Sequence, residues 1–183
     1  MRVHPNSLFW IEEQLDTTMM PYLWSQIKLA NVNLKEKLVG HITSSLELPD
    51  VEQKLRNYVL EVAKGLDYIY TPDIKMDAAW VNFQKKHEFN PLHMHKGKMS
   101  FVIWMKIPYS YETEAKRAQS VNSDHSLAGC FEFIYTDMLG HIQKTRYTAQ
   151  EGTFVLFPAK LCHVVYPFYT SDEERISISG NIL

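Results

Sequence analysis

Two hydrophobic periods divide the chain. Up to about residue 70, apolar positions recur every three to four residues; beyond it they alternate or run together. Val51, Leu55, Tyr58, Val59, Val62 and Leu66 form one stripe, with Lys54, Arg56, Asn57, Glu61 and Lys64 on the other side. With Asp50 as N-cap and Gln53 three residues on, this predicts a helix over 51–66. Leu34, Leu38, Val39 and Ile42 behind Asn33 and Glu36 predict another over 34–42. A short helix is expected over 8–15, and 22–29 is ambiguous, with a strand as one reading. The later part predicts strands over 78–85, 99–107, 130–136, 142–149, 152–157, 163–168 and 175–183. Between residues 108 and 129 lies a polar stretch with no strand pattern. Long connections of this kind usually carry function, so Tyr109, Tyr111 and the residues after them are a candidate substrate lid.

Short strands at this spacing point to a mainly β fold, a sandwich or barrel-like pair of sheets. The 183 residues are expected to form a single domain: a helical support over 1–70 and a β core over 71–183. A hydrophobic content of 45% with 13% aromatic residues is enough for a real core and excludes disorder. Nineteen basic against 21 acidic residues give a net charge of −2, so a protein built mainly to grip nucleic-acid phosphate is not indicated. No apolar run reaches a membrane span and no signal core opens the chain. Cys130 and Cys162 lack Cys-x-x-Cys spacing and are expected as buried free thiols in a reducing compartment, so the expected location is the cytoplasm. The oligomer expected on frequency alone is a homodimer.

Chemistry enters with the placement of three of the eight histidines. His93 and His95, in Asn90-Pro91-Leu92-His93-Met94-His95, are two apart, and in an extended chain they share a face, where two imidazoles can chelate one metal. His163 follows Leu156-Phe157-Pro158 and a short turn, at the opening of the next strand. Taken alone, a His-x-His pair is easily a chance placement, and His163 is easily a half-buried strand cap. The last strand alternates Arg175, Ser177 and Ser179 with Ile176 and Ile178. An arginine fork beside a hydroxyl suits a carboxylate ligand; a solvated face with Arg175 paired to an acidic neighbour is the bland alternative.

Together, His-x-His, an apolar strand, Gly-x-x-x-Leu-Phe-Pro, a distant histidine and Arg-x-Ser resemble the Fe(II)- and 2-oxoglutarate-dependent oxygenases, more closely an oxygenase family of that superfamily found in bacteria and tailed phages. The resemblance runs from about Trp80 to Ile182. It implies a double-stranded β-helix, the jelly roll of that superfamily, with the N-terminal helices packed on one sheet. It further implies Fe(II), 2-oxoglutarate and O2 as cofactor and cosubstrates, with decarboxylation to succinate and hydroxylation of an unidentified substrate, a peptide side chain or a small molecule. His93 and His163 match the first and last metal ligands of the family pattern. Arg175 matches the basic residue that clamps the distal carboxylate of 2-oxoglutarate, with Ser177 beside it; Asn82 and Trp80, on the strand before His93, are within reach of 2-oxoglutarate, with core packing as the equal alternative for Trp80. The chain departs from the pattern at His95, where the superfamily usually has a carboxylate. Either all three histidines bind, the favoured reading, or His95 stands behind the ligands, or only two histidines bind, or His95 is the first ligand and Gly97 leaves the carboxylate position empty. Two other classes remain: a cupin-type metal enzyme without 2-oxoglutarate, in which Arg175 makes a structural ion pair, and a metal-free jelly-roll protein, in which the three histidines lie apart.

Overall fold

The computed structural model describes residues 2–3, 10–48, 53–64, 75–117 and 125–183. In chain order its elements are β1 (Arg2–Val3), β2 (Ile11–Gln14), α1 (Met19–Ile27), β3 (Val32–Asn33), β4 (Ser44–Glu47), α2 (Gln53–Lys64), β5 (Met76–Gln84), β6 (Asn90–His93), β7 (Met99–Lys106), α3 (Tyr111–Ala115), β8 (Phe131–Thr136), β9 (Ile142–Tyr147), β10 (Thr153–Pro158), β11 (Cys162–Val165) and β12 (Arg175–Ile182). All strand pairs are antiparallel. They form an eight-stranded sheet, β1-β2-β10-β7-β12-β5-β4-β3, and a four-stranded sheet, β6-β11-β8-β9. Strands β5 to β12 pass back and forth between the two sheets, with β8 and β9 as a hairpin within the smaller one, in the order of a jelly roll, the double-stranded β-helix.

The two-residue period of the strands sorts the side chains into two cores. On β7, Phe101, Ile103 and Met105 point to one face; on β10, Phe154 and Leu156; on β12, Ile176 and Ile178. Against this face lie Met19, Leu23 and Ile27 of α1 and Leu55, Val59 and Ala63 of α2. The Tyr58 ring meets Phe154 edge-on at 5.2 Å, and its hydroxyl donates to Glu13 at 3.0 Å. The opposite face carries Val102, Trp104, Val155 and Phe157, which pack on Phe131 and Phe133 of the smaller sheet. This second core fills one part of the jelly roll. The remainder of the inner face carries polar residues and forms the site.

Two expectations for the N-terminal part fail, and the ambiguous stretch 22–29 is resolved as helix. Residues 11–14 are a strand, because Ile11 to Gln14 pair with the edge of β10. Residues 19–27 are a helix, with Met19, Leu23 and Ile27 buried at four-residue intervals and Pro21 in the first turn, where its missing N–H costs nothing. The expected helix over 34–42 shrinks to a single 3-10 turn at Lys35–Lys37. Asn33 still accepts from the Lys35 N–H, at 2.8 Å. Gly40 then takes φ +127, where a Cβ would lie 1.7 Å from the Asn90 side-chain oxygen. The expected helix over 51–66 appears as α2, while its proposed cap Asp50 lies outside the described residues. Both cysteines are free; Cys130 is buried but Cys162 is only half-buried, since it alternates outward beside the inward His163. No helix among the described residues is long and apolar enough to cross a membrane.

Candidate metal centre

His93 ends β6 and is the direct cross-strand partner of His163 on β11. Their ring centroids lie 4.2 Å apart. His95 lies just past β6, and its backbone is strapped to the turn before His163: its N–H donates to the Ala159 carbonyl at 2.8 Å, and its carbonyl accepts from Lys160 Nζ at 3.1 Å. The His95 ring therefore stands 5.1 Å from each of the other two rings. One ligand atom from each histidine lies within 4.8 Å of the others, and no second such metal-competent group occurs among the described residues.

The donor set fits a transition metal such as Fe(II), for which imidazole is a suitable ligand. His93 Nδ1 lies 2.7 Å from the Pro91 carbonyl, and His163 Nδ1 lies 2.9 Å from the Leu161 carbonyl. A carbonyl only accepts, so Nδ1 carries the proton and Nε2 keeps its lone pair for a metal. Burial also favours the neutral, ligating form. It pushes the His93 imidazole below its ordinary range and His163 well below it, and it brings His95 down to about 4, with His93 adding to the effect. Gly97 adopts φ +94, and a Cβ there would meet the Ile182 carbonyl at 2.4 Å. It is not among the residues lining the histidine cavity.

The same cavity is lined by Trp80, Asn82, Gln84, Arg175, Ser177 and Ser179. Arg175 is 2% exposed. Its Nε bonds Gln84 Oε1 at 3.0 Å and a second guanidinium nitrogen reaches the same oxygen. A third donates to the Tyr109 hydroxyl at 2.6 Å and to the Gly129 carbonyl at 3.0 Å. Every one of these acceptors is neutral. Among the described residues Arg175 forms no ion pair; the nearby Asp172 and Glu173 pair with Lys86 and Lys106. The solvated, acid-paired alternative therefore fails, and a buried cation without a counter-charge is a strong attractor for an anion. Ser177 is the cross-strand partner of Asn82. Asn82 accepts from Ser45 at 2.8 Å and reaches Ser179 at 3.5 Å.

His93, His95, His163, Asn82, Arg175 and Ser177 thus line one cavity. Trp80 lines it too, its ring 6.0 Å from His95. Phe101 and Met105 are helix-side packing, and Trp104 lies in the inner core, stacked on Tyr147. Of the other histidines, His41 stacks on Phe89, His87 meets Tyr169, and His141 sits beside Asp137 at a hairpin tip. Gln84 was missed, although its position two residues after Asn82 places it on the same strand face. Tyr109 was expected over a substrate, but its hydroxyl turns inward to Arg175.

The family described as "Putative 2OG-Fe(II) oxygenase" matches residues 78–181, more than half of the chain. Among solved structures, a prolyl-4-hydroxylase from Pseudomonas putida superposes with a TM-score of 0.58 at 12% identity, over 93% of this chain and 90% of that one. A viral collagen prolyl hydroxylase from Paramecium Bursaria Chlorella virus-1, in complex with 2-oxoglutarate, gives 0.59 at 13% identity, over 94% of each chain. HygX from Streptomyces hygroscopicus, with nickel, 2-oxoglutarate and hygromycin B bound, gives 0.61 at 8% identity, over 97% of this chain and 82% of that one. At these identities the likeness is one of fold. Among curated proteins none matches this sequence.

Proposed function

This chain belongs to the 2OG-Fe(II) oxygenase family, and on that premise we propose that it hydroxylates a C–H bond of its substrate at a centre held by His93, His95 and His163. Arg175 and Ser177 bind the distal carboxylate of 2-oxoglutarate. The observation that carries this reading is the meeting, in a single cavity, of three neutral imidazoles and one buried arginine that has no ion pair among the described residues.

Bound together, iron and 2-oxoglutarate supply an O2-dependent oxidation in which 2-oxoglutarate loses CO2 and leaves as succinate. The chain's own residues do the rest. The Pro91 and Leu161 carbonyls hold the His93 and His163 rings in the ligating tautomer. The Ala159 and Lys160 contacts hold the backbone of His95. Arg175 offers a charge whose plane is fixed by Gln84 on one side and Tyr109 on the other. The Ser177 hydroxyl has no hydrogen-bond partner among the described residues and Ser177 lines the same cavity, which leaves that hydroxyl for a ligand oxygen. Phe131 and Phe157 close the apolar wall behind His163 and exclude water.

A second groove opens past His93 and His95, lined by Leu34, Leu38, Val39 and Met94 with Lys35, Glu47, Asp77 and Lys96. Mixed apolar and charged walls of both signs suit a peptide side chain or a small molecule, and this groove is where the substrate enters. A cupin-type enzyme without 2-oxoglutarate would place Arg175 in an ion pair, and a metal-free jelly roll would keep the histidines apart; the described residues support neither arrangement.

The test is anaerobic calorimetry of the metal-loaded protein with 2-oxoglutarate, followed by succinate release in air. One 2-oxoglutarate per metal-loaded chain is expected, with binding weakened about 30-fold or more in Arg175→Ala. A chain that takes up metal but no 2-oxoglutarate would overturn the reading.

A further inference from the structure

We infer that Glu114 is a positioning residue for the cosubstrate: its buried carboxylate clamps α3 onto the β11–β12 connection and so holds the Tyr109 hydroxyl on Arg175. The inference rests on the reading of Arg175 as the 2-oxoglutarate anchor.

Glu114 is 0% exposed, although it lies on a five-residue helix inside a polar connection. It forms no ion pair with any described residue. Its carboxylate accepts instead from the Tyr169 N–H at 3.0 and 3.1 Å, from the Thr170 N–H at 2.8 Å and from the Thr170 hydroxyl. All of these donors suit a carboxylate, and a carboxamide would turn an NH2 group toward some of them. Arg117 lies over the Tyr169 ring at 3.3 Å and fixes the other end of the short helix. Ser110 caps the helix start by accepting from the Thr113 N–H at 3.1 Å.

The same segment begins at Tyr109. Its ring stacks on Phe168, centroids 4.7 Å apart. Its hydroxyl donates to the Gly129 carbonyl at 2.7 Å and accepts from Arg175 at 2.6 Å. Tyr109 and Glu114 therefore grip three successive residues, Phe168, Tyr169 and Thr170, of the connection that leads into Arg175. With both grips closed the guanidinium is oriented before a carboxylate arrives, so binding does not have to order it. With Glu114 released, α3 lifts, the hydroxyl leaves Arg175 and the orienting cost falls on the ligand.

The experiment compares 2-oxoglutarate with oxalate on the Mn(II)-loaded protein by anaerobic calorimetry. Oxalate can chelate the metal but has no distal carboxylate to reach Arg175. Glu114→Gln and Tyr109→Phe should each weaken 2-oxoglutarate about 10-fold and leave metal stoichiometry and oxalate affinity as in the wild type. The double variant should be no weaker than the worse single one, because Glu114 acts through Tyr109. Thr170→Val, which removes one donor to Glu114, should weaken 2-oxoglutarate in the same selective way and serves if Glu114→Gln does not fold. Equal loss of oxalate and 2-oxoglutarate, additive losses in the double variant, or unchanged 2-oxoglutarate affinity in the single variants would each overturn the inference. A wild-type chain that binds Mn(II) and oxalate but no 2-oxoglutarate would overturn the proposed function along with it, which separates the two failures.

Discussion

His93 and His163 stand directly opposite each other across β6 and β11, their ring centroids 4.2 Å apart and each Nδ1 bonded to a backbone carbonyl two residues earlier in its own strand or turn. The same local bond, used twice, presents two Nε2 atoms to one point from adjacent strands.

His163→Ala should therefore lower metal affinity by at least about 100-fold, the upper end of what loss of an outer-sphere partner alone costs. His95→Asp should keep one metal per chain, because it places a carboxylate where the family usually has one. Metal titration followed by elemental analysis of the desalted protein checks both. Loss of metal in His95→Asp would show that the imidazole at 95 is required.

The metal-free protein should be acid-labile. The three imidazoles have folded pKa values below the unfolded value of 6.5, His95 at about 4. Between these values the unfolded chain binds the extra protons. The stabilisation is thus complete above pH 6.5 and is lost progressively as the pH falls toward 4. Thermal melts from pH 7.5 to 4 should show a falling midpoint in this window. Added Zn(II) should raise the midpoint at pH 7 and do so less at each lower pH, since protons compete for the same nitrogens.

Arg175→Ala should weaken 2-oxoglutarate by about 30-fold or more, the loss expected when one member of a buried charge pair is truncated. Metal affinity should be unchanged, because the guanidinium bonds Gln84, Tyr109, Gly129 and Tyr166 and none of the three clustered histidines. Parallel titrations with metal and with 2-oxoglutarate test this separation.

Leu55→Ala should cost about 2–5 kcal/mol of stability. Leu55 is fully buried where α2 meets the eight-stranded sheet. Urea unfolding of the metal-free protein measures the loss. Metal stoichiometry in the folded variant should stay at one, since the site lies on the other face of that sheet.

Seven of the eight jelly-roll strands were legible because a strand with a core on each face leaves a dense apolar run or a strict alternation, as in 99–106 and 175–182; the four-residue β6 that ends on His93 leaves no such pattern. Helix α2 was legible from its stripe. The misread elements are those whose form is set by a distant partner. Residues 11–14 become a strand only because β10 offers an open edge, and the turn at Lys35–Lys37 stops short because Gly40 must pass the side chain of Asn90. No local pattern carries that information.

The site divides in the same way. By itself the sequence determined that His93 and His95 fall on one side of an extended chain and that Arg175, Ser177 and Ser179 share a strand face, a consequence of the two-residue period. It also supplied the family resemblance. The alternation could not say whether the Arg175 face met solvent or the interior. Only the tertiary structure decided that, by folding β12 between β5 and β7 with its polar face inward, setting β11 beside β6, and turning Tyr109 and Glu114 onto the connection before Arg175. The physical reason is that burial, and with it the neutral state of the histidines and the unpaired charge of the arginine, belongs to the packed sheets and to no single strand.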